Sequence, residues 1–86
     1  MDGLRHDYPD KSESGGFSLM TSKGVKAKSL IPVYQSTTFP THVSMATGVY
    51  PNTHGIMHNS FYDREKGSYS YSPEANWIQS KPIWAY

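Results

Sequence analysis

Two patterns of apolar and polar residues, over residues 17–24 and 25–33, predict a helix followed by a strand. Phe17, Leu19 and Met20 form a weak helical stripe, and Gly24 follows them, as is common at the end of a helix. Within residues 25–33, apolar and polar side chains alternate at the start, less cleanly from Ser29 onward, and the apolar pair Leu30-Ile31 precedes Pro32. This range therefore predicts a strand that enters a buried layer.

Residues 41–47 predict a second helix. Pro40 suits its first turn, where the missing N–H would have no helical partner in any case. The residue before a proline avoids the helical region, so Phe39 is expected to be extended and Thr38 to lie just ahead of the helix. Gly48 ends the segment. The side chains expected to face the core follow the helical spacing: Val43, Ala46 and Thr47.

The second half of the chain predicts a β-hairpin near residues 59–72. Residues 56–62 predict one strand, and the charged segment 63–67 ends in a glycine that suits the turn. Tyrosines alternate with serines in the strand that follows. They favour cross-strand packing, with stacking on a sugar or base as the alternative. Residues 80–82 then predict the opening of a helix, with a proline in its first turn.

Length and composition limit how much structure the chain can support alone. It has 86 residues, of which 36% are hydrophobic and none is cysteine. A chain of this length holds at most one domain and buries only about 60–65% of its unfolded surface. Globular domains are roughly 45–50% apolar, and no disulfide can compensate here. The composition predicts a piece of a larger domain or a weakly stable unit.

Charge and hydropathy exclude several classes of function. Eight basic and seven acidic residues give a net charge of +1 and no basic patch of the density that a nucleic-acid groove needs. No apolar run approaches the ~18 residues of a membrane span. The chain also has no segment with the charge and apolar pattern of a signal peptide.

The start of the second helix is the strongest candidate for chemistry. Free N–H groups and the positive end of the helix dipole attract anions, phosphate in particular, and the Thr38 hydroxyl would lie at that edge. A plain helix cap is the commoner role of a threonine in this position. A hydroxyl also needs a base or a metal before it becomes a good nucleophile.

The four histidines do not predict a metal site. His54 and His58 are four residues apart, the spacing of two ligands on one helical face. Pro51 and Gly55 make a helix over this segment unexpected, and residues 50–55 predict a turn instead. All four histidines are therefore interpreted as structural or solvated.

Several separated motifs agree in order and spacing with one family. The chain resembles the N-terminal part of the catalytic domain of the nucleotide pyrophosphatase/phosphodiesterase family, within the alkaline phosphatase superfamily. The resemblance extends over essentially the whole chain. Its central motifs are Thr38-Phe39-Pro40, Ala46-Thr47-Gly48-Val49-Tyr50-Pro51, His54-Gly55-Ile56 and Asn59-Ser60-Phe61-Tyr62-Asp63. Flanking matches are Asp2-Gly3-Leu4-Arg5, Tyr8, Gly24-Val25, Ile31-Pro32-Val33, Ser72-Pro73-Glu74-Ala75, Trp77 and Lys81-Pro82-Ile83-Trp84.

The resemblance implies a fold and a set of site residues. The fold would be α/β, with a mixed sheet flanked by helices, and residues 1–86 would be an incomplete, N-terminal portion of an alkaline-phosphatase-like domain. Thr38 would be the nucleophile and a metal ligand, and Asp2 a second metal ligand. Asn59 and Phe39 would bind substrate. From the residues alone, Asp2 is better interpreted as a solvated terminal acid, and an ordinary loop or edge hydrogen bond is the alternative role of Asn59.

The reaction implied is metal-dependent hydrolysis of a phosphodiester or pyrophosphate bond in a small, nucleotide-type substrate. Two zinc ions would clamp the phosphoryl group, and Thr38 would form a phospho-threonine that water then hydrolyses. Asn59 and the helix N-terminus would stabilise the non-bridging oxygens. The remaining zinc ligands would lie beyond Tyr86. The family is usually exported, periplasmic or membrane-anchored, but this chain carries no signal for any location.

Two other classes of function stay open at this point. The chain could be a non-catalytic fragment or a small binding module with tyrosine and tryptophan surfaces. Within the hydrolases, a sulfatase or phosphomonoesterase is the rival, although a sulfatase would be expected to carry a cysteine or serine for conversion to formylglycine. Thr38 before Phe39-Pro40, with Asn59 downstream, favours a diesterase.

Overall fold

The computed structural model describes residues 1–72 and 74–86. Pro73, in the 72–75 segment that resembles the family, lies outside the described residues. The chain divides into two compact units, Met1–Ile31 and Pro32–Tyr86. The helices are α1 (Gly15–Lys23), α2 (Thr38–Thr47) and α3 (Pro51–His54), and the strands are β1 (Ser60–Asp63) and β2 (Gly67–Ser70). Short 3-10 turns span Pro9–Lys11, Ala75–Trp77 and Ile83–Ala85.

The N-terminal unit contains the predicted first helix. α1 ends at Lys23, and the Gly24 N–H donates to the Met20 carbonyl over 2.9 Å. Gly24 has an extended backbone, so its role is to save space: a Cβ there would lie 2.8 Å from the same carbonyl oxygen. The helix is confirmed, but none of its residues is buried.

The predicted strand over residues 25–33 is wrong. The structure has no strand in this range of the described chain, and Val25 and Ile31 are 100% and 88% exposed. A strand is stabilised by backbone pairing with a neighbour and by burial of its apolar face. Alternation in the sequence supplied the apolar face, but residues 25–33 have no strand neighbour among the described residues.

The C-terminal unit begins its helix earlier than expected. Thr37 is the extended residue before α2, and Thr38 and Phe39 are its first two residues. The prediction that Phe39 stays extended is therefore wrong. The preference before proline is a bias, and a proline in the first turn costs no helical hydrogen bond. The predicted end is confirmed, because Gly48 adopts the left-handed conformation with a φ of 72°.

The predicted turn after Gly48 contains the one-turn helix α3. Pro51 is its first residue, where proline is tolerated, and Gly55 follows its last residue with a φ of 86°. Pro51 and Gly55 bound this single turn. Residues 55–58 are not helical, so the expectation that these two residues prevent a helix over the His54–His58 segment is confirmed.

The predicted hairpin is confirmed. β1 and β2 are antiparallel, with Ser60 opposite Ser70 and Asp63 opposite Gly67. One Asp63 carboxylate oxygen accepts the backbone N–H groups of Glu65 and Lys66, each at 2.8 Å, and fixes the turn. β1 is shorter than the strand predicted over 56–62. The helix predicted from residue 80 is only the 3-10 turn Ile83–Ala85.

The core of the C-terminal unit combines aliphatic and aromatic side chains. Ile56 is fully buried and Tyr69 is 4% exposed. Phe61 stacks on Tyr69 with ring centres 4.8 Å apart, and Trp77 lies edge-on to both rings. On α2 the buried residues are Pro40 and Ser44, while the expected core residues Val43, Ala46 and Thr47 are half-buried.

The α/β content of the prediction is confirmed, and the mixed sheet is not formed by the described residues. Their one sheet has two antiparallel strands. The alkaline-phosphatase-like fold stays a prediction for the complete domain. No helix formed by residues 1–72 and 74–86 has the length and hydropathy that crossing a bilayer requires.

Candidate functional site

The first turn of α2 holds Thr38, the predicted nucleophile. Thr38 is the first helical residue and is half-buried. Its carbonyl oxygen accepts a hydrogen bond of 2.7 Å from Nδ1 of His42, one turn later in the helix. The adjacent Thr37 makes no capping bond with its side chain, and its buried hydroxyl has no hydrogen-bond partner among the described residues.

Asn59 supplies the cap that Thr37 does not. Its Oδ1 accepts the Phe39 N–H at 2.9 Å, from twenty residues away in the chain. A backbone N–H can be accepted only by the amide oxygen, so the orientation of the side-chain amide follows from this bond. The structure thus brings Asn59 next to the start of α2, beside the residue that follows Thr38. The sequence predicted Asn59 and Phe39 as site residues but did not predict the hydrogen bond between them.

This contact changes the expected anion site at the helix start. The Phe39 N–H is occupied by Asn59, and Pro40 has no N–H to offer. The expectation of free N–H groups at this end is therefore wrong for Phe39, while the missing N–H of Pro40 was expected. The donors that remain for an anion include the two N–H bonds of the Asn59 amide nitrogen.

Aromatic rings surround the Phe39 side chain, which was predicted to contact substrate. Its ring lies edge-on to Tyr71 at 4.6 Å and to Tyr69 at 6.1 Å between ring centres. Tyr71 is 56% exposed, and its N–H donates to the Asn59 carbonyl oxygen at 3.3 Å. The end of the hairpin therefore contacts both Phe39 and Asn59.

A buried histidine links the elements that carry this site. His54 is fully buried, and its Nε2 lies 2.9 Å from the Ser44 hydroxyl of α2. Its Nδ1 accepts the Ile56 N–H at 3.1 Å. Burial lowers the pKa of the His54 imidazole, and a hydrogen bond with the Pro40 backbone opposes part of that change.

The structural interpretation of His54 is confirmed, but the sequence analysis missed its partners. The sequence could have indicated Ser44 as a buried polar residue, because it lies four residues after Pro40 and therefore on the same face of the helix. His54 and His58 also do not share a helical face, as expected, because α3 ends at His54.

The described residues contain no complete metal centre. In residues 1–72 and 74–86, no group of three or more His, Cys, Asp or Glu side chains is arranged to hold an ion. Asp2 is an exposed residue of the N-terminal unit, whereas Thr38, Phe39 and Asn59 belong to the C-terminal unit. A separate groove of about 560 Å³ in the N-terminal unit, lined by α1 and residues 24–26, contains none of the predicted site residues.

Comparisons with known proteins agree on one family. The family described as type I phosphodiesterase / nucleotide pyrophosphatase matches residues 1–86. An uncharacterised pyrophosphatase/phosphodiesterase of Schizosaccharomyces pombe is 35% identical over 91 residues, covering 98% of this chain and 19% of its own length. The human ectonucleotide pyrophosphatase/phosphodiesterase family member 1 is 37% identical over 95 residues, covering 98% of this chain and 10% of its own.

A third relative with a family name of the same kind matches a shorter part of the chain. Family member 7 of Rattus norvegicus is 37% identical over 62 residues, or 72% of this chain and 14% of its own length. The chain therefore spans between about a tenth and a fifth of the length of these relatives.

Proposed function

This chain belongs to the type I phosphodiesterase / nucleotide pyrophosphatase family, a family of hydrolases, and we propose a role for it within a complete catalytic domain. There it contributes a threonine nucleophile, Thr38, and a phosphate-binding amide, Asn59. The reaction is hydrolysis of a phosphodiester or pyrophosphate bond in a nucleotide-type substrate. Relatives named as ectonucleotide pyrophosphatase/phosphodiesterases support this substrate class.

The hydrogen bond between Asn59 Oδ1 and the Phe39 N–H carries the proposal. It fixes an amide side chain next to the residue that follows Thr38. With its oxygen engaged, the Asn59 amide directs its nitrogen, which carries two N–H donors, toward other partners. Preorganised donors of this kind stabilise the charge that develops on the oxygens of a phosphoryl group during transfer.

Thr38 performs the bond-forming step in this proposal. Its Oγ attacks phosphorus, the P–O bond to the leaving group breaks, and the hydroxyl proton passes to a base or to solvent. Water then attacks the phosphorus of the phospho-threonine, the bond to Thr38 Oγ breaks, the phosphate product leaves with the oxygen of water, and Oγ takes up a proton. The Phe39 ring, held edge-on against Tyr69 and Tyr71, offers an apolar surface on which the substrate can rest.

Zinc is part of the proposal for the complete domain only. A catalytic zinc ion takes three protein ligands and one open position. Asp2 and Thr38 have oxygen atoms of suitable chemistry, but these two groups do not complete the ligand set of even one ion. When bound, zinc would polarise the threonine hydroxyl and offset phosphoryl charge. The isolated 86-residue chain is therefore expected to bind zinc weakly and to have no measurable diesterase activity.

The test transfers residues 1–86 into the S. pombe relative in place of the segment that they match. We expect the chimera to hydrolyse a chromogenic nucleotide 5′-phosphodiester, and chelation to remove that activity. Thr38→Ala should lower kcat by at least about a thousandfold, as loss of a nucleophile does. Asn59→Ala should lower it by about a hundredfold, the usual effect of losing one charge-stabilising donor.

Thr37→Ala is the matched control for the neighbouring hydroxyl. Because the Thr37 side chain makes no capping bond, we expect the activity of this variant to stay near that of the chimera. Equal losses in the Thr37 and Thr38 variants would contradict a specific nucleophile. A folded chimera that binds zinc without turnover would favour the non-catalytic alternative.

A further inference from the structure

His54 connects the two segments that carry the proposed site. Its side chain is fully buried, and one ring nitrogen faces α2 while the other faces the chain that leads to Asn59. On the first side the partner is Ser44, in the helix that begins at Thr38. On the second side the partner is the Ile56 N–H, three residues before Asn59.

The hydrogen bonds define the state of the ring. Because the Ile56 N–H donates to Nδ1, that nitrogen must be unprotonated, and the neutral ring carries its proton on Nε2. Nε2–H therefore donates toward α2, where the Ser44 hydroxyl lies 2.9 Å away and the Pro40 backbone is a second acceptor. The lowered pKa of the buried imidazole agrees with a neutral ring. A neutral histidine can thus serve both partners at once.

The surrounding contacts leave His54 little freedom to move. Its carbonyl oxygen accepts the Gln79 N–H at 2.9 Å, which fixes the backbone on the far side of α3. Ser44 is only 8% exposed, so no solvent molecule can readily replace the imidazole as its partner. His54 therefore connects α2 to the segment that leads to Asn59 by hydrogen bonds on both sides of its ring.

We propose that His54 is a positioning residue, which holds the Asn59 amide against the Phe39 N–H and so sets the geometry between Asn59 and Thr38. The importance of this geometry for catalysis rests on the proposed function. The geometry itself can be measured without any activity. His54 touches neither substrate nor the reacting atoms in this proposal.

The test is an NMR measurement on the 86-residue chain. The readout is the scalar coupling across the hydrogen bond from the Phe39 amide nitrogen to the Asn59 side-chain carbonyl carbon, with the Phe39 amide proton shift. Ser44→Ala deletes one buried oxygen and should abolish the coupling and move the proton upfield. His54→Gln can reach Ser44 but cannot also accept from Ile56 as the ring does, and should have the same effect.

Ile56→Val is the matched control. It also deletes one buried heavy atom, but it keeps the backbone N–H that donates to His54. A merely structural role predicts similar losses in Ser44→Ala and Ile56→Val, whereas positioning by His54 predicts that Ile56→Val keeps the coupling. If the His54 variant does not fold, Ser44→Ala decides, because alanine favours the helix more than serine does.

Persistence of the coupling in folded Ser44→Ala would overturn the proposal, and so would its loss in Ile56→Val. These outcomes are independent of the Thr38 test. Loss of the coupling in Ser44→Ala, combined with a chimera that is inactive although it binds zinc, would support the positioning role while rejecting the proposed reaction. Persistence of the coupling in folded Ser44→Ala, combined with an active chimera, would reject the positioning role while supporting the proposed reaction.

Discussion

The two units of this chain contain helices of nearly equal length but differ in what those helices bury. α1 has nine residues and buries none of them, whereas α2 has ten and buries Pro40 and Ser44. Among the described residues, every buried position belongs to the C-terminal unit. These positions are Pro40, Ser44, Pro51, His54, Ile56 and Tyr69.

The difference follows from the partners that each helix has. α2 has α3 and the His54 side chain to pack on, and Gly48 ends it cleanly. On α1, Leu19 and Met20 are 55% and 70% exposed. Helix formation therefore depended on local sequence in both units, but among the described residues only the helices of the C-terminal unit have buried side chains.

The largest expected effect on stability comes from truncating a buried aliphatic residue, and an exposed one in the other unit is the comparison. Ile56→Ala should lower the free energy of unfolding by about 2–5 kcal/mol, which matches the whole stability expected of so small a unit. Val25→Ala, at a fully exposed position, should change it by less than about 0.5 kcal/mol. Urea unfolding followed by circular dichroism measures both. Equal effects would mean that the two units are packed alike.

A smaller effect is expected at the two left-handed glycines of the C-terminal unit. Gly48→Ala should lower the free energy of unfolding by about 1–2 kcal/mol, the cost of the left-handed conformation for an L-residue. No steric cost is added, because no atom lies within 4 Å of the new Cβ. Gly55→Ala should cost more, because its Cβ would lie 3.3 Å from the Gln79 side chain. Thermal unfolding measures the difference. Combining Gly55→Ala with Gln79→Ala should remove the excess, and persistence of the excess would contradict this origin.

The smallest expected effect is a pH dependence of the free energy of unfolding that comes from His54 in the C-terminal unit. Burial lowers the pKa of His54 from its ordinary value of 6.5, so the unfolded chain binds a proton more readily than the folded one. Stability from this group is complete above about pH 6.5 and declines as the pH falls from there toward the folded pKa. Denaturant midpoints across this range measure the decline.

A variant pair assigns that dependence. His54→Gln should remove it, and His42→Gln, at an exposed position of α2, should keep it. The opposite assignment would show that the buried imidazole is not the group that senses pH.

Local sequence was sufficient for the elements that depend on neighbouring residues. Gly24 and Gly48 end helices as expected, and the charged segment before Gly67 forms the turn of a hairpin. These features depend on backbone conformation and on short-range hydrogen bonds. Sequence reasoning failed over residues 25–33 because a strand also needs a partner, and no pattern within the strand supplies one.

The candidate site divides in the same way. The order and spacing of its motifs predicted Thr38, Phe39 and Asn59 as site residues and indicated the family. Only the tertiary structure revealed that the Asn59 amide occupies the Phe39 N–H, which changes the donors available to an anion. It also revealed that His54 bridges Ser44 and Ile56. Residue identity and spacing determine which groups a chain can offer. Contacts between distant residues decide which of those groups are already occupied, because each donor and acceptor is used by the partner that folding brings to it.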